Sequence, residues 1–226
     1  MVDLSANEAA SLTKLAARGA GYPWGLCEEA VVAARWLCSF ELSGMQALLS
    51  LCLRVDQQPL STFTPRIEGT TWKLVGAGLC PLICGSALSD RAALIAARSC
   101  ITIESVMSPI LLLPFVAQMS ALSAASVQLS WNDFVLVCHA GRIYANRDAY
   151  DFDQRCMNDD ESATVALQMH IEPSSSMSEW SVRTDSRQNL LPACLHKLQK
   201  LAQRTYAPNT EQSRLLGAGA GNSDND

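Results

Sequence analysis

Apolar residues recur at helical spacing from the first turn of the chain. Ala9, Leu12, Leu15 and Ala16 share a face behind Ser5 and Glu8, whose spacing is that of a capping box. Gly19 and Gly21 predict the stop, because glycine adopts the left-handed turn that ends many helices. A second helix is expected from Trp24 to about Phe40, with Glu28 and Glu29 in its first turn, where the helix dipole favours negative charge. Gly44 opens a third helical stretch over residues 45–53, so residues 1–54 read as a helical unit.

Beyond a polar loop holding Pro59 and Pro65, the pattern changes to short runs rich in β-branched and aromatic residues. Strands are expected over residues 70–75, 100–107, 126–131, 134–138 and 163–171, with Asn132 and Asp133 turning a hairpin. Ser89 and Asp90 cap a short helix reaching residue 97. The run 110–122 is so uniformly apolar that it reads as either a helix or a buried strand. Residues 148–161 carry six acids beside Arg147 and Arg155 and read as a solvated loop. Thr184 and Asp185 then cap an amphipathic helix to about Arg204, with Leu190, Leu191, Cys194, Leu195, Leu198 and Leu201 on one face.

Helices followed by strands and a final helix, without regular strand–helix alternation, predict an α+β fold. Its sheet is expected to be mostly antiparallel, and a Gly-rich tail follows the last helix. The whole chain, 1–226, reads as one domain: helical unit 1–54, β-rich core 66–183, C-terminal helix 184–205 and tail 206–226.

Composition narrows the function classes. With 49% hydrophobic residues the chain can bury a sizeable core, and 17 basic against 22 acidic residues give a net charge of -5. That balance argues against nucleic acid as a partner, since phosphate binding draws on a basic excess. The nine cysteines, odd in number and set among apolar neighbours, do not form a disulfide framework, so a reducing, cytoplasmic setting is expected. The first residues lack the basic and apolar stretches of a secretory signal. The most apolar stretch, 106–119, is interrupted by Pro109 and Pro114 and is shorter than the roughly 18 residues of a membrane span, so no membrane partner is expected.

Motif chemistry is sparse. Gly76 and Gly78 follow a strand as a dinucleotide loop would, but Pro81 stands where the third glycine belongs and removes a backbone donor. Gly217, Gly219 and Gly221 have no helix behind them, and there is no Gly-Lys-Ser/Thr ending. Cys80 and Cys84 lack a second pair for zinc, and Arg155 stands where a calcium loop beginning at Asp151 and Asp153 needs oxygen. No metal and no particular cofactor is indicated. Cys27 lies near a helix start, a position that activates thiols, but Glu28 and Glu29 oppose this, and a buried cysteine is expected.

Two segments are more particular. Arg18, Gly19, Ala20, Gly21, Tyr22, Pro23, Trp24 and Gly25 form a helix–helix corner. They would also bring backbone N–H groups, a cation and an aromatic face around an anion. The tail carries Tyr206, Pro208, Ser213 and Arg214 before the glycine run and ends in Asp224 and Asp226, a small-residue loop able to close over a pocket.

These same segments resemble a bacterial family known as a domain of unknown function. The resemblance lies in residues 16–30, around the Arg18–Gly25 corner, and in residues 204–214 with the glycine run and the Ser223, Asp224, Asn225 and Asp226 ending. It would span nearly the whole chain, and implies a proteobacterial, cytosolic protein in which the tail matters. The N-terminal helices, through Leu42, Ser43 and Gly44, are also similar to those of type-2 malate/lactate dehydrogenases, with Met45 where those have histidine.

No reaction is legible. The sequence points to an accessory protein binding a small anionic metabolite or a protein subunit. The alternative is an enzyme, an oxidoreductase relative among the candidates, whose pocket joins the two ends, with Arg18, Trp24 and Glu28 supplied by the corner and Arg214 and Asp224 by the tail. A third reading uses Arg187, Lys197, Lys200 and Arg204 as a basic docking face.

Overall fold

The computed structural model describes residues 1–97, 100–158, 162–182 and 188–206. Ser5 caps the first helix, α1 (Ala6–Ala20), in a complete capping box with Glu8, and Gly21 ends it at φ 111°. The corner then turns into α2 (Trp24–Ser39), and α3 (Gly44–Val55) follows. Glu28 and Glu29 fall one turn deeper in α2 than the dipole argument requires, and its first turn holds no acid. Gly19 is no part of the stop. A Cβ there would lie 1.8 Å from the carbonyl oxygen of Leu201, so glycine lets α1 approach the last helix closely.

Ten strands are described. Strand β1 (Val2–Leu4) pairs with β10 (Gln188–Leu190) as an antiparallel ribbon. The others are β2 (Arg66–Glu68), β3 (Thr71–Lys73), β4 (Cys100–Val106), β5 (Val127–Trp131), β6 (Phe134–His139), β7 (Arg142–Ala145), β8 (Ala163–Met169) and β9 (Ser178–Glu179). They form one sheet in the order β2-β3-β4-β8-β5-β6-β7-β9, antiparallel throughout except for β3 against β4. The fold is α+β, as the pattern predicts. The β5–β6 hairpin turns at the expected place, with Asn132 at φ 47° supplying the positive φ that such tight turns require.

The ambiguous apolar run is helical: a 3-10 turn over Pro109–Leu112 leads into α6 (Leu113–Ser123). This helix packs on β5 and β6 on one side and on α2, α4 (Pro81–Asp90) and α5 (Ala92–Ala96) on others, so it is apolar all round. Leu111, Leu112, Leu113, Phe115 and Val116 join Leu48, Leu51, Leu82, Ile103, Leu129 and Val165 in a continuous core.

Two expectations are corrected. Residues 148–161 do not begin as a solvated loop: α7 (Ala149–Asn158) is an amphipathic helix that buries Phe152 and Asp153. Its acids are engaged, Asp151 with the nearby Arg147 and Arg155, and Asp153 with Ser43, the residue just before α3. The final helix, α8 (Pro192–Gln203), starts later than residue 184. Leu190 belongs to β10 and Leu191 is the residue before the helix, because Pro192 suits the first helical position, where no N–H is needed. Thr184, Asp185 and the tail beyond Tyr206 lie outside the described residues.

Candidate functional site

The Arg18–Gly25 corner brings three of the expected site residues together. Arg18 donates from Nη1 to the Tyr22 carbonyl at 3.0 Å, and its guanidinium lies 5.3 Å from the centre of the Trp24 ring. Lys14 sits over the same ring at 5.7 Å and pairs with Glu28. Trp24 is half exposed, while Tyr22 is fully buried, its hydroxyl 3.3 Å from Cys80 Sγ. The corner is thus cross-braced by its own cations and lines none of the three clefts described below. Arg214 and Asp224 lie outside the described residues. Of the proposed basic face, Arg204 pairs with Asp56 and reaches the Gly19 carbonyl, clamping α8 to the helical unit, and Arg187 lies outside the described residues.

Buried thiols offer no obvious nucleophile. Burial pushes the Cys27 thiol up to about 11, the nearby Arg18 and Lys14 pulling the other way, and it raises Cys38 and Cys194 likewise to about 11. Cys52, Cys80 and Cys84 are pushed up by the same cause. A thiol must ionise to attack, so these six are inert near neutral pH.

A Ser–His–Glu group lies at one end of the sheet, in a cleft of about 560 Å³. Ser126 Oγ is 2.9 Å from His139 Nδ1 and donates to Glu172 Oε1 at 2.8 Å, and Glu172 Oε2 is 3.1 Å from the same Nδ1. A relay that activates serine places the acid and the hydroxyl on opposite ring nitrogens. Here both meet Nδ1 and the serine proton goes to the carboxylate, so the group ties the start of β5, the end of β6 and the chain after β8 together rather than activating an oxygen. Among the described residues, no cluster of three or more His, Cys, Asp or Glu side chains could hold a metal ion.

A mostly apolar cleft of about 370 Å³ lies elsewhere. Helix α3 supplies Gln46, Leu49, Ser50 and Leu53, the turn after β4 supplies Ser108, Pro109 and Ile110, and the turn end of the β5–β6 hairpin supplies Trp131 and Phe134. Cys156 and Met157 come from α7, and Leu191, Ala193, Cys194 and Lys197 from the start of α8. An aromatic stack holds the wall: Phe134 and Trp131 pack against Phe152 at 4.9 and 5.7 Å between ring centres, and Phe152 packs on Trp180. Leu49, Ile110, Trp131 and Phe134 are buried, whereas Leu53 and Leu191 are 48% and 51% exposed and form an apolar rim. A second cleft of about 580 Å³, lined in part by Asp153 and Glu41, adjoins it across Gln46, Met157 and Leu191.

Ser108 is the unusual residue of this cleft. The β4 pairing register shifts before Val106, and Ser105 and Ser108 both take positive φ, 44° and 43°, which non-glycine residues rarely do. Ser108 is only 8% exposed, and its hydroxyl has no hydrogen-bond partner. A buried hydroxyl left unpaired costs about 1–3 kcal/mol, and such backbone strain about as much again. Both costs fall on a residue that lines the cleft. The sequence carried one faint signal of it: a hydroxyl, just before proline, inside an otherwise apolar run.

The fold is α+β, with a small, mostly apolar cleft where the helical unit, hairpin and last helix meet. Residues 4–72 match a family described as Protein of unknown function (DUF3726), well under half the chain. The match takes in the Arg18–Gly25 corner and α3 and stops before the C-terminal motif. No curated protein and no solved structure matches the chain. The likeness to the malate/lactate dehydrogenases stays with the N-terminal helix pattern it was read from.

Proposed function

We propose that the protein binds a small amphipathic metabolite in the cleft between α3 and α8, as an accessory or carrier protein. The observation that carries this reading is Ser108, a strained, buried hydroxyl without a partner on the wall of an otherwise apolar cleft. Strain and unsatisfied polar groups persist where something else depends on them. A ligand with an apolar body and one polar head would occupy the apolar wall and complete the serine's hydrogen bonding, by a turn of its single side-chain torsion. The volume suits a ligand of about a dozen heavy atoms, at roughly 30 Å³ for a water-sized group.

The small-metabolite reading of the sequence is thus kept, and its place moves from the corner to this cleft. Because the cleft draws on α3, the hairpin, α7 and α8, the helical unit, β core and last helix act as one domain in this reading. A reducing, cytoplasmic setting is supported by nine free cysteines, most of them buried. No helix among the described residues is long and apolar enough to cross a membrane.

The test is a series of straight-chain alcohols from hexanol to tetradecanol, titrated calorimetrically into the full chain. Each methylene moved out of water gains about 0.8 kcal/mol, so affinity should rise about fourfold per carbon and level off near a dozen heavy atoms. Absence of binding, or affinity that keeps rising without a plateau, would overturn the reading.

A further inference from the structure

We propose that the ligand's head is a carboxylate seated between Ser108 and the N-terminus of α8, so that the cleft takes an amphipathic monocarboxylate. This rests on the cleft being a ligand site, as argued above. Four unbonded N–H groups point out of the start of any helix, and the dipole makes that end positive. In α8 the first position is Pro192, which has no N–H, and the first intrahelical bond runs from Leu195 to the Leu191 carbonyl at 3.0 Å. Ala193 and Cys194 therefore have N–H groups without an intrahelical acceptor. The capping position is held by Leu191, whose side chain accepts nothing. A polar residue there would close the helix end, and an apolar one leaves it open.

Two independent features meet this helix end in the same cleft. One is the unpartnered hydroxyl of Ser108, a buried donor on the cleft wall that a turn of its side-chain torsion would present to a carboxylate oxygen. The other is charge. The chain is acidic overall, yet Lys197 is the one charged side chain among the described residues lining this cleft. A carboxylate would meet a helix N-terminus, a hydroxyl and an ammonium, and no like charge. An amine would meet a positive helix end and Lys197. An alcohol would satisfy Ser108 and leave the helix end without an anion. One carboxylate oxygen on Ser108 and the other on the Ala193 and Cys194 N–H groups leaves the tail of the ligand along Leu49, Ile110, Trp131 and Phe134.

The experiment compares octanoate, octanol and octylamine by calorimetric titration into the full chain and into Ser108→Ala and Lys197→Met variants. Charge-assisted hydrogen bonds are about twice as strong as neutral ones, so octanoate should bind about tenfold tighter than octanol, and octylamine weakest. Lys197→Met should remove several-fold of the octanoate affinity while leaving octanol within about twofold, and added salt should act in the same direction. Ser108→Ala should weaken octanoate and octanol alike. If octanol binds and octanoate binds no tighter, the carboxylate assignment falls while the cleft reading stands; if neither binds, both fall. Tighter octanoate binding that neither variant weakens would place the carboxylate elsewhere and overturn the assignment.

Discussion

Ser108 carries two costs at once, a backbone at φ 43° and a buried hydroxyl with no partner. Removing the hydroxyl removes one of them. Ser108→Ala should therefore leave urea stability unchanged or raise it by about 1 kcal/mol, while weakening ligand binding. A fall in stability of that size would mean that the serine is structural and the cleft argument misplaced. The buried thiols set a second expectation. In the unfolded chain they ionise near their ordinary value of 9.0, whereas Cys27, Cys38 and Cys194 hold their protons to about 11 when folded. The folded state thus binds more protons over that range. The stability they contribute is complete below pH 9 and is lost as pH climbs towards 11. The urea midpoint, followed from pH 8 to 11, should fall across that window; a flat profile would contradict the burial of these thiols.

At the scale of elements, glycine positions separate packing from propensity. Gly19→Ala would drive a methyl into the Leu201 carbonyl, forcing α1 from α8 at a cost of about 1–3 kcal/mol in a urea titration. Gly25, in α2, has open space where its Cβ would stand, so Gly25→Ala should be neutral or stabilise by up to about 1 kcal/mol. Asp153 joins α7 to α3 by accepting from the Ser43 N–H at 2.6 Å and from its hydroxyl at 2.7 Å. Asp153→Ala should cost about 2–4 kcal/mol, since it leaves a helix start without its acceptor. This bond also shows what single-sequence reading could not see. Helix α1 was legible because period, cap and stop agreed locally, α2 and α3 because of their apolar period between turn residues, and the β5–β6 hairpin because of its turn. Helix α7 was not, because its acids look solvated until their partners, Ser43, Arg147 and Arg155, are brought beside them. Helix α4 was hidden for a related reason. It carries Gly85, a poor helix former that is needed where the Phe115 ring lies against the backbone of the helix.

For the whole molecule, the cleft is the feature least visible in the sequence. Its walls come from five segments between Gln46 and Lys197, and no local motif marks any of them. The corner at Arg18, Trp24 and Glu28 is legible because its residues are near one another in the chain; in the structure they cluster and brace α1 against α2. The family match covers that corner and α3, which forms one wall of the cleft, and leaves the facing wall on α8 unmatched. The central claim is that this cleft holds a ligand, and blocking it tests that most directly. Ala193 lines the cleft, is exposed and sits in the first turn of α8, so Ala193→Trp fills the space with little demand on the core. Octanoate should be titrated into both chains alongside a melting scan. The account predicts one binding site in the parent chain and none in the variant, with melting temperatures within about 4 °C of each other. Equal binding by both chains, or binding by neither, would contradict it.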